Sequence, residues 1–255
     1  MIEIRYPCPE GFEDELEAAL DEWDATPWAL VSVPGEPSRL VGYFETQPLA
    51  LEAWAEVRKR LRFLPESPPN GVPLADEDWK EAYKEHFQPW SFGRLHWIPT
   101  WRRDDYDVPA GAVAVVLGPG MAFGTGNHES TRLCARRLIQ AAEEWDAAGL
   151  DRFSVVDVGT GSGILAISAA VLGFRKIEAF DIDPDSVEVA VENAAVNGVE
   201  DAIQFQTAGI CRGLEGTTGN LVLANIRGNV LVAEREALLA AVCPGGRLVL
   251  SGILA

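Results

Sequence analysis

Short runs of predominantly apolar residues recur along the second half of the chain, and segments with helical periodicity separate them. A run of this kind predicts a strand in a sheet that is buried on both faces. Strands that alternate with helices in this way form a parallel sheet. We therefore predict an α/β domain with strands at 154–158, 176–180, 203–207, 221–224 and 247–250.

The first 66 residues carry a shorter and more mixed pattern. Its periodicity predicts the order β-α-β-β-α over 2–6, 13–23, 29–33, 40–44 and 48–61, with an optional last strand near 62–64. This order is typical of a small ferredoxin-like α+β domain. Prolines and a glycine between 65 and 73 then indicate a linker.

The stretch between this linker and the parallel sheet predicts a short helix and two strands. The helix ends at Pro89 and carries one aromatic face, and the strands at 94–101 and 112–117 flank an exposed loop. We divide the chain into three parts: a small domain at 1–66, a linker with a short helix at 67–95, and the main domain at 96–255.

A glycine-rich turn follows the predicted strand at 154–158. Glycine at Gly159, Gly161 and Gly163 lets the backbone take positive φ and lets a ligand approach it closely. A dinucleotide-binding turn has its third small residue at the position of Ile164, which argues against a nicotinamide cofactor. The pattern D-x-G-x-G-x-G from Asp157 instead resembles motif I of class I S-adenosylmethionine (AdoMet) methyltransferases; a plain strand-turn-helix corner is the alternative.

Two acidic residues follow the second predicted strand. Asp181 comes 22 residues after Gly159, at the distance where an acidic residue accepts hydrogen bonds from ribose hydroxyls. Asp183 precedes Pro184 and an apolar helical series, so it is predicted to be the N-cap of a helix. Asn197 and Gly198 are predicted to end that helix.

The composition narrows the class of protein. A chain of 255 residues with 47% apolar residues buries a core without disulfides, and its four cysteines form no close pair. No apolar run approaches the roughly 18 residues of a membrane helix, and no signal peptide is evident, so we expect a cytoplasmic protein. The net charge of −18 disfavours nucleic-acid binding and favours a basic protein partner, although it also suits a merely soluble surface. We expect a monomer without a membrane partner, and the three histidines have no metal-ligand spacing.

Residues 118–133 are too rich in glycine for regular structure, and they lead into a helix. This segment resembles the signature P-G-x-A-F-G-T-G-x-H-x-T-T-x-L of the PrmA family of ribosomal protein L11 methyltransferases. Further stretches resemble the same family in the same order, namely those beginning at Asp78, Asp157, Asp181, Ala224 and Leu250. The resemblance covers about 76–255 and implies a Rossmann-like class I methyltransferase sheet.

The resemblance also implies a cofactor and its contacts. It predicts that 123–131 folds over AdoMet, with Thr131 in contact with the cofactor; a helix cap is the alternative role of Thr131. The cofactor-binding residues predicted in this way are Phe123, Gly124, Thr125, Gly126, Thr131, Asp157, Gly159, Gly161, Gly163, Asp181 and Asn225.

Asn225 is the predicted catalytic residue, because its amide oxygen can accept a hydrogen from an amine and orient the nitrogen lone pair. Methyltransferases of planar amides read Asn-Pro-Pro-aromatic at this point, whereas Ile226 and Arg227 follow here. An aliphatic amine is therefore the favoured acceptor, and a strand-end cap is the alternative role of Asn225. No pattern decides which group takes the proton.

By the resemblance, the substrate is ribosomal protein L11, methylated at lysine side chains and the α-amine, and the small domain recognises it. Three alternatives stay open: a lysine methyltransferase of another protein, such as the electron-transfer flavoprotein β subunit; a non-catalytic binding module with this fold; and an NAD-dependent oxidoreductase. The family sheet has seven strands, and the fifth is the last predicted before Ala255, so the sheet is expected to be truncated after strand five.

Overall fold

The computed structural model describes residues 2–9, 11–21, 27–31, 37–44, 46–69, 71–73, 89–118, 129–145 and 149–252. The chain divides into two compact units, Met1–Lys84 and Glu85–Ala255. The short helix predicted over 76–88 lies outside the described residues. Among the helices that are described, none has the length and apolar character needed to cross a bilayer.

The described residues of the first unit form a four-stranded antiparallel sheet and two helices. Its elements are β1 (Ile2–Pro7), α1 (Glu13–Asp21), β2 (Trp28–Val31), β3 (Arg39–Phe44), α2 (Gln47–Arg60) and β4 (Val72–Pro73), and the sheet order is β2-β3-β1-β4. The predicted β-α-β-β-α order is confirmed. The core packs Trp28 against Trp54, whose ring centroids are 5.5 Å apart.

The prediction of an optional last strand near 62–64 is wrong. Residues 62–64 form a turn in which the Leu64 amide donates to the Leu61 carbonyl at 3.2 Å, and both leucine side chains are buried in the core. The last strand is β4, inside the predicted linker, where Val72 and Pro73 pair with the edge of β1. Proline is tolerated at Pro73 because β4 is an edge strand of the described sheet, and no neighbouring strand on its outer side needs a backbone N–H donor.

The second unit begins with a small three-stranded sheet. It contains β5 (Trp90–Phe92), β6 (Leu95–Pro99) and β7 (Val113–Leu117) in the order β5-β6-β7. The strands β6 and β7 pair in parallel, and the predicted loop connects them. Trp97 of β6 is fully buried, and its Nε1 donates to Ser168 Oγ at 2.9 Å.

The large sheet follows, with alternating strands and helices. Its elements are α3 (Glu129–Trp145), β8 (Ser154–Val158), α4 (Ile164–Leu172), β9 (Lys176–Asp181), α5 (Pro184–Val196), β10 (Ile203–Thr207), α6 (Ile210–Gly213), β11 (Gly219–Asn225), α7 (Gly228–Ala233), α8 (Arg235–Ala240) and β12 (Val242–Ser251). All five predicted strands are present, and β12 starts five residues earlier than predicted.

The five described strands are all parallel, in the order β10-β9-β8-β11-β12. The chain leaves β8 first towards β9 and later returns on the other side as β11. Ligands of open parallel sheets bind at such a switch point, beside the carboxyl ends of the strands. The predicted α/β class is therefore confirmed, and the sheet order places the crevice at the end of β8.

The predicted ends of α5 are also confirmed. Asp183 is the N-cap, and its Oδ1 accepts from the Asp185 amide at 3.1 Å, with Pro184 in the first turn. The helix ends at Val196 with Asn197 as its C-cap, and Gly198 takes a positive φ of 63°. Capping by the side chain of Asp183 fixes where α5 starts, directly after the acidic end of β9.

We predict that Ser168→Ala lowers the free energy of unfolding of the second unit by about 1–3 kcal/mol, because the buried Trp97 indole N–H loses its acceptor. Urea unfolding followed by tryptophan fluorescence measures this change. Ser91→Ala on the exposed part of β5 is the control and should change stability little. Equal stability of both variants and the wild type would show that Trp97 finds another acceptor.

Candidate functional site

The glycine turn after β8 has the backbone geometry that the sequence predicts. Gly159, Gly161 and Gly163 have φ angles of 70°, 53° and 80°. A Cβ on Gly159 would lie 2.3 Å from Cγ2 of Ile226, so a side chain at this position has no room. A Cβ on Gly163 would lie 3.0 Å from the Cβ of Ala190 in α5. The turn therefore packs closely on two neighbouring elements, and its Gly159 and Thr160 amides both donate to the Phe180 carbonyl.

Asp157 lies beneath this turn and is 1% exposed. Its Oδ2 accepts from Thr160 Oγ1 at 2.7 Å and from the Ala166 amide at 3.1 Å. Burial raises the pKa of Asp157 to about 6, although the hydrogen bonds from Thr160 and Ala166 act in the opposite direction. Both contacts are internal, so Asp157 shapes the turn and the start of α4.

Asp181 ends β9 and faces the same turn. Its Oδ2 accepts from the Gly161 amide at 2.9 Å, and its Oδ1 accepts from the Asp183 amide at 3.1 Å. The residue is half-buried. A carboxylate has about four lone-pair positions, so the two backbone amides leave acceptor capacity for a ligand.

Asn225 ends β11 and contacts Thr131 of α3. Its Nδ2 donates to Thr131 Oγ1 at 3.0 Å, and Thr131 is 0% exposed. Its Oδ1 is buried and, within the described part of the chain, has no hydrogen-bond partner. A buried acceptor without a partner is unfavourable by about 1–3 kcal/mol, so this oxygen is a candidate contact for a ligand.

The position of Thr131 rules out the alternative role as a helix N-cap. The helix α3 begins at Glu129, so Thr131 lies within its first turn and is not the N-cap. The contact between Thr131 and Asn225 was missed by the sequence analysis, because 94 residues separate the two side chains along the chain. Neither residue type alone signals the pairing.

Ile226 fixes Asn225 from the other side. Its side chain lies over Gly159, and a Cβ on Gly252 would lie 2.3 Å from its carbonyl oxygen. Gly252 has a positive φ of 83°. In the sequence, the stretch around Gly252 carries only a family resemblance. In the structure, Gly252 lets the backbone after β12 approach Ile226 closely.

Some predicted site residues are outside the described part of the chain, namely Phe123, Gly124, Thr125 and Gly126. Their assignment to the cofactor stays a prediction. Among the described residues, no group of three or more His, Cys, Asp and Glu side chains is arranged to hold a metal ion.

The register of the sheet brings the described site residues together. Val158 pairs with Phe180 on one side and with Ala224 on the other. The next residues of the three strands, Gly159, Asp181 and Asn225, therefore come to one edge, in neighbouring strands that are about 4.8 Å apart. This edge of the sheet therefore holds the Asp181 carboxylate, the start of the glycine turn and the Asn225 amide oxygen side by side.

Comparison with known proteins identifies the family. The model of the family "Ribosomal protein L11 methyltransferase (PrmA)" matches residues 12–255. The chain belongs to this family. The family resemblance found in the sequence is thus confirmed.

Individual relatives agree with this assignment. The ribosomal protein L11 methyltransferase of Trichlorobacter lovleyi is 43% identical over 198 residues, which are 76% of this chain and 62% of that protein. The Methylococcus capsulatus protein of the same name is 46% identical over 185 residues, 71% of this chain and 58% of that protein. The chain therefore spans about three fifths of the length of these curated relatives.

A solved structure supports the fold. The ribosomal protein L11 methylase of Lactobacillus delbrueckii subsp. bulgaricus aligns with a TM-score of 0.54 at 35% identity. The alignment covers 63% of this chain and 77% of that chain. The likeness confirms the class I methyltransferase fold of the large sheet.

We predict that Gly159→Ala destabilises the protein more than Gly216→Ala. Both glycines have positive φ, so each variant loses about 1–2 kcal/mol from backbone strain, but a Cβ on Gly216 meets nothing within 4 Å. The clash with Ile226 should add about 1–3 kcal/mol to the loss in Gly159→Ala. Denaturant unfolding of both variants measures the difference, and Gly159→Ala combined with Ile226→Ala should recover most of it. Equal losses in the two single variants would contradict the close packing.

We also predict that the free energy of unfolding depends on pH through Asp157. Because its pKa is raised to about 6 in the folded protein, the native state binds more protons than the unfolded state between about pH 4 and 6. Stability from this group therefore falls as the pH rises through that range. Asp157→Asn keeps an oxygen acceptor and removes the charge, so the stability of the wild type relative to this variant should decrease from pH 4 to pH 7. A difference that stays constant with pH in parallel urea titrations would rule this out.

Proposed function

We propose that the protein is an AdoMet-dependent protein N-methyltransferase that methylates amine nitrogens of ribosomal protein L11, both lysine side chains and the α-amine. The observation that carries the proposal is the buried Oδ1 of Asn225, which has no partner within the described residues. Asn225 lies at the carboxyl edge of the sheet, beside the start of the glycine turn. An acceptor in that position suits a substrate N–H.

The residues at this edge fit AdoMet. Asp181 accepts from the Gly161 amide beside the glycine turn, and its remaining lone pairs suit two neighbouring ribose hydroxyls. When bound, AdoMet supplies an electrophilic methyl group on a sulfonium. The chain itself contributes alignment, for which effective-molarity arguments allow roughly 7–11 kcal/mol.

Thr131 determines what Asn225 can do. Because Nδ2 of Asn225 donates to Thr131 Oγ1, the amide is held in one orientation with its oxygen available. That oxygen can accept one hydrogen of an amine and thereby direct the nitrogen lone pair. Thr131 is then a positioning residue for Asn225, a role that differs from the direct cofactor contact that the resemblance implies.

The packing of Ile226 supports an aliphatic acceptor. A planar amide substrate needs an aromatic platform after the asparagine, whereas Ile226 points its side chain onto Gly159. An amine must also be neutral to attack. At pH 7, deprotonation requires about 4–5 kcal/mol for a lysine and about 1 kcal/mol for an α-amine, so desolvation near Asn225 matters more for lysine.

The proposed partner follows from charge and from the names of the relatives. The net charge of −18 attracts a basic protein, and the relatives are named for ribosomal protein L11. Lysine methylation of another protein is the second candidate acceptor reaction, because the same free amide oxygen serves any aliphatic amine.

Incubation of the full chain with methyl-labelled AdoMet and purified ribosomal protein L11 tests the proposal, with the electron-transfer flavoprotein β subunit as a second acceptor. We expect label on L11, at lysines and the amino terminus in peptide mapping. Label on the second protein alone would move the assignment to another substrate. Binding of S-adenosylhomocysteine without transfer to either protein would contradict the catalytic proposal and favour a binding module.

We predict that Asn225→Ala lowers kcat by about 10²-fold or more, since one positioned hydrogen-bonding group is lost from the transition state. Steady-state methyl transfer measures kcat, and calorimetry measures the Kd of S-adenosylhomocysteine. Ser251→Ala is the control, because Ser251 pairs with Asn225 in the sheet register but its hydroxyl donates to the Ser130 carbonyl. Unchanged kcat in Asn225→Ala would remove Asn225 from the reaction.

We predict that Thr131→Val lowers kcat by about tenfold and leaves the Kd of S-adenosylhomocysteine nearly unchanged, because it removes one neutral hydrogen bond to Asn225. Valine keeps the volume of the buried side chain. The combined variant with Asn225→Ala should lose little more than Asn225→Ala alone. A large rise in Kd with constant kcat would instead support the direct cofactor contact.

A further inference from the structure

Asn193 of α5 and Asn197, the C-cap of this helix, both form hydrogen bonds with the edge of β7. Asn197 Oδ1 accepts from the Val116 amide at 2.7 Å, and Asn197 Nδ2 donates to the Val116 carbonyl at 2.6 Å. One turn earlier, Asn193 Oδ1 accepts from the Gly118 amide at 3.0 Å. We call Asn193 and Asn197 the asparagine pair.

The spacing of the asparagine pair matches that of the strand. Residues four apart on a helix are separated by about 6 Å along its axis, and residues two apart on a strand by about 6.6 Å. The other edge of β7 pairs with β6. The side-chain amides therefore act in place of a neighbouring strand and satisfy the backbone of β7 up to Gly118.

Asn193 makes a second contact that Asn197 lacks. Its Nδ2 donates to the Ser162 carbonyl at 2.9 Å, in the turn between Gly161 and Gly163. Asn193 is 4% exposed, so both contacts are shielded from water. One side chain thus links the end of β7 directly to the glycine turn.

We propose that Asn193 is a positioning residue that fixes the distance between Gly118 and the glycine turn, and thereby sets the affinity for AdoMet. This inference rests on the proposed function, because it assigns the turn to the cofactor. Gly118 is where β7 leads into the glycine-rich signature, and Ser162 belongs to the turn whose Gly161 amide bonds to Asp181. Loss of either contact lets the glycine turn move relative to the end of β7.

The two contacts of Asn193 can be separated by substitution. Asn193→Ala removes both, whereas Asn193→Asp keeps an acceptor for the Gly118 amide and lacks the donor for the Ser162 carbonyl. Asn220→Ala is the matched control, because Asn220 Oδ1 accepts from the Ser154 amide at 2.9 Å at the amino end of β8, away from the crevice. The Asn220→Ala variant therefore shows the effect of general destabilisation without a change at the glycine turn.

The experiment measures hydrogen exchange of the Gly118 amide in the ligand-free protein and the Kd of S-adenosylhomocysteine. We expect Asn193→Ala to accelerate Gly118 exchange and to raise Kd by about tenfold, for the loss of two buried hydrogen bonds. Asn193→Asp should keep Gly118 protected and still raise Kd. Asn220→Ala should change neither, even when its melting temperature falls equally.

Two results would overturn the inference. An equal rise in Kd for Asn193→Ala and Asn220→Ala would assign the effect to stability, and an unchanged Kd in both Asn193 variants would show that the link does not position the crevice. Failure of the proposed function has a different signature, since the wild type itself would then bind no S-adenosylhomocysteine. In that case Gly118 exchange alone would still decide whether Asn193 holds the end of β7.

Discussion

The hydrogen-bonded register of three neighbouring parallel strands is the constraint on which the candidate site depends. It aligns the ends of β9, β8 and β11, so that Asp181, Gly159 and Asn225 come to one edge. A slip of one residue in either pairing would turn the affected side chains to the opposite face of the sheet. The buried apolar residues on both faces of β8 and β11 prevent such a slip, because it would move them out of their packed positions.

Two buried polar groups at this edge differ in whether their hydrogen bonds are satisfied. Asp157 is surrounded by donors from the chain itself and stabilises the turn, although its burial raises its pKa. Asn225 presents an acceptor that the described residues leave without a partner. Proteins keep such an unsatisfied group where a ligand or substrate completes it, and the stability lost there is recovered in the surrounding core.

Close backbone approach is the second feature that holds the site together. Ile226 lies between Gly159 and Gly252, and a side chain on either glycine would occupy its space. Asn225 is therefore fixed by packing on its following residue and by the hydrogen bond to Thr131. Rigid placement of this kind is what a transfer reaction needs, because small displacements of a positioned group reduce the rate steeply.

The sequence alone determined the elements whose signals are local. Strand periodicity, the positive-φ glycines and the cap at Asp183 depend on neighbouring residues, and they predicted the five parallel strands, the turn and the start of α5 correctly. Only the tertiary structure decided the contacts between distant segments. The edge strand β4, the bond from Asn225 to Thr131 and the two contacts of Asn193 each join residues far apart along the chain, so no local pattern encodes them. Their partners are set by how the helices pack on the sheet, which is a property of the assembled core.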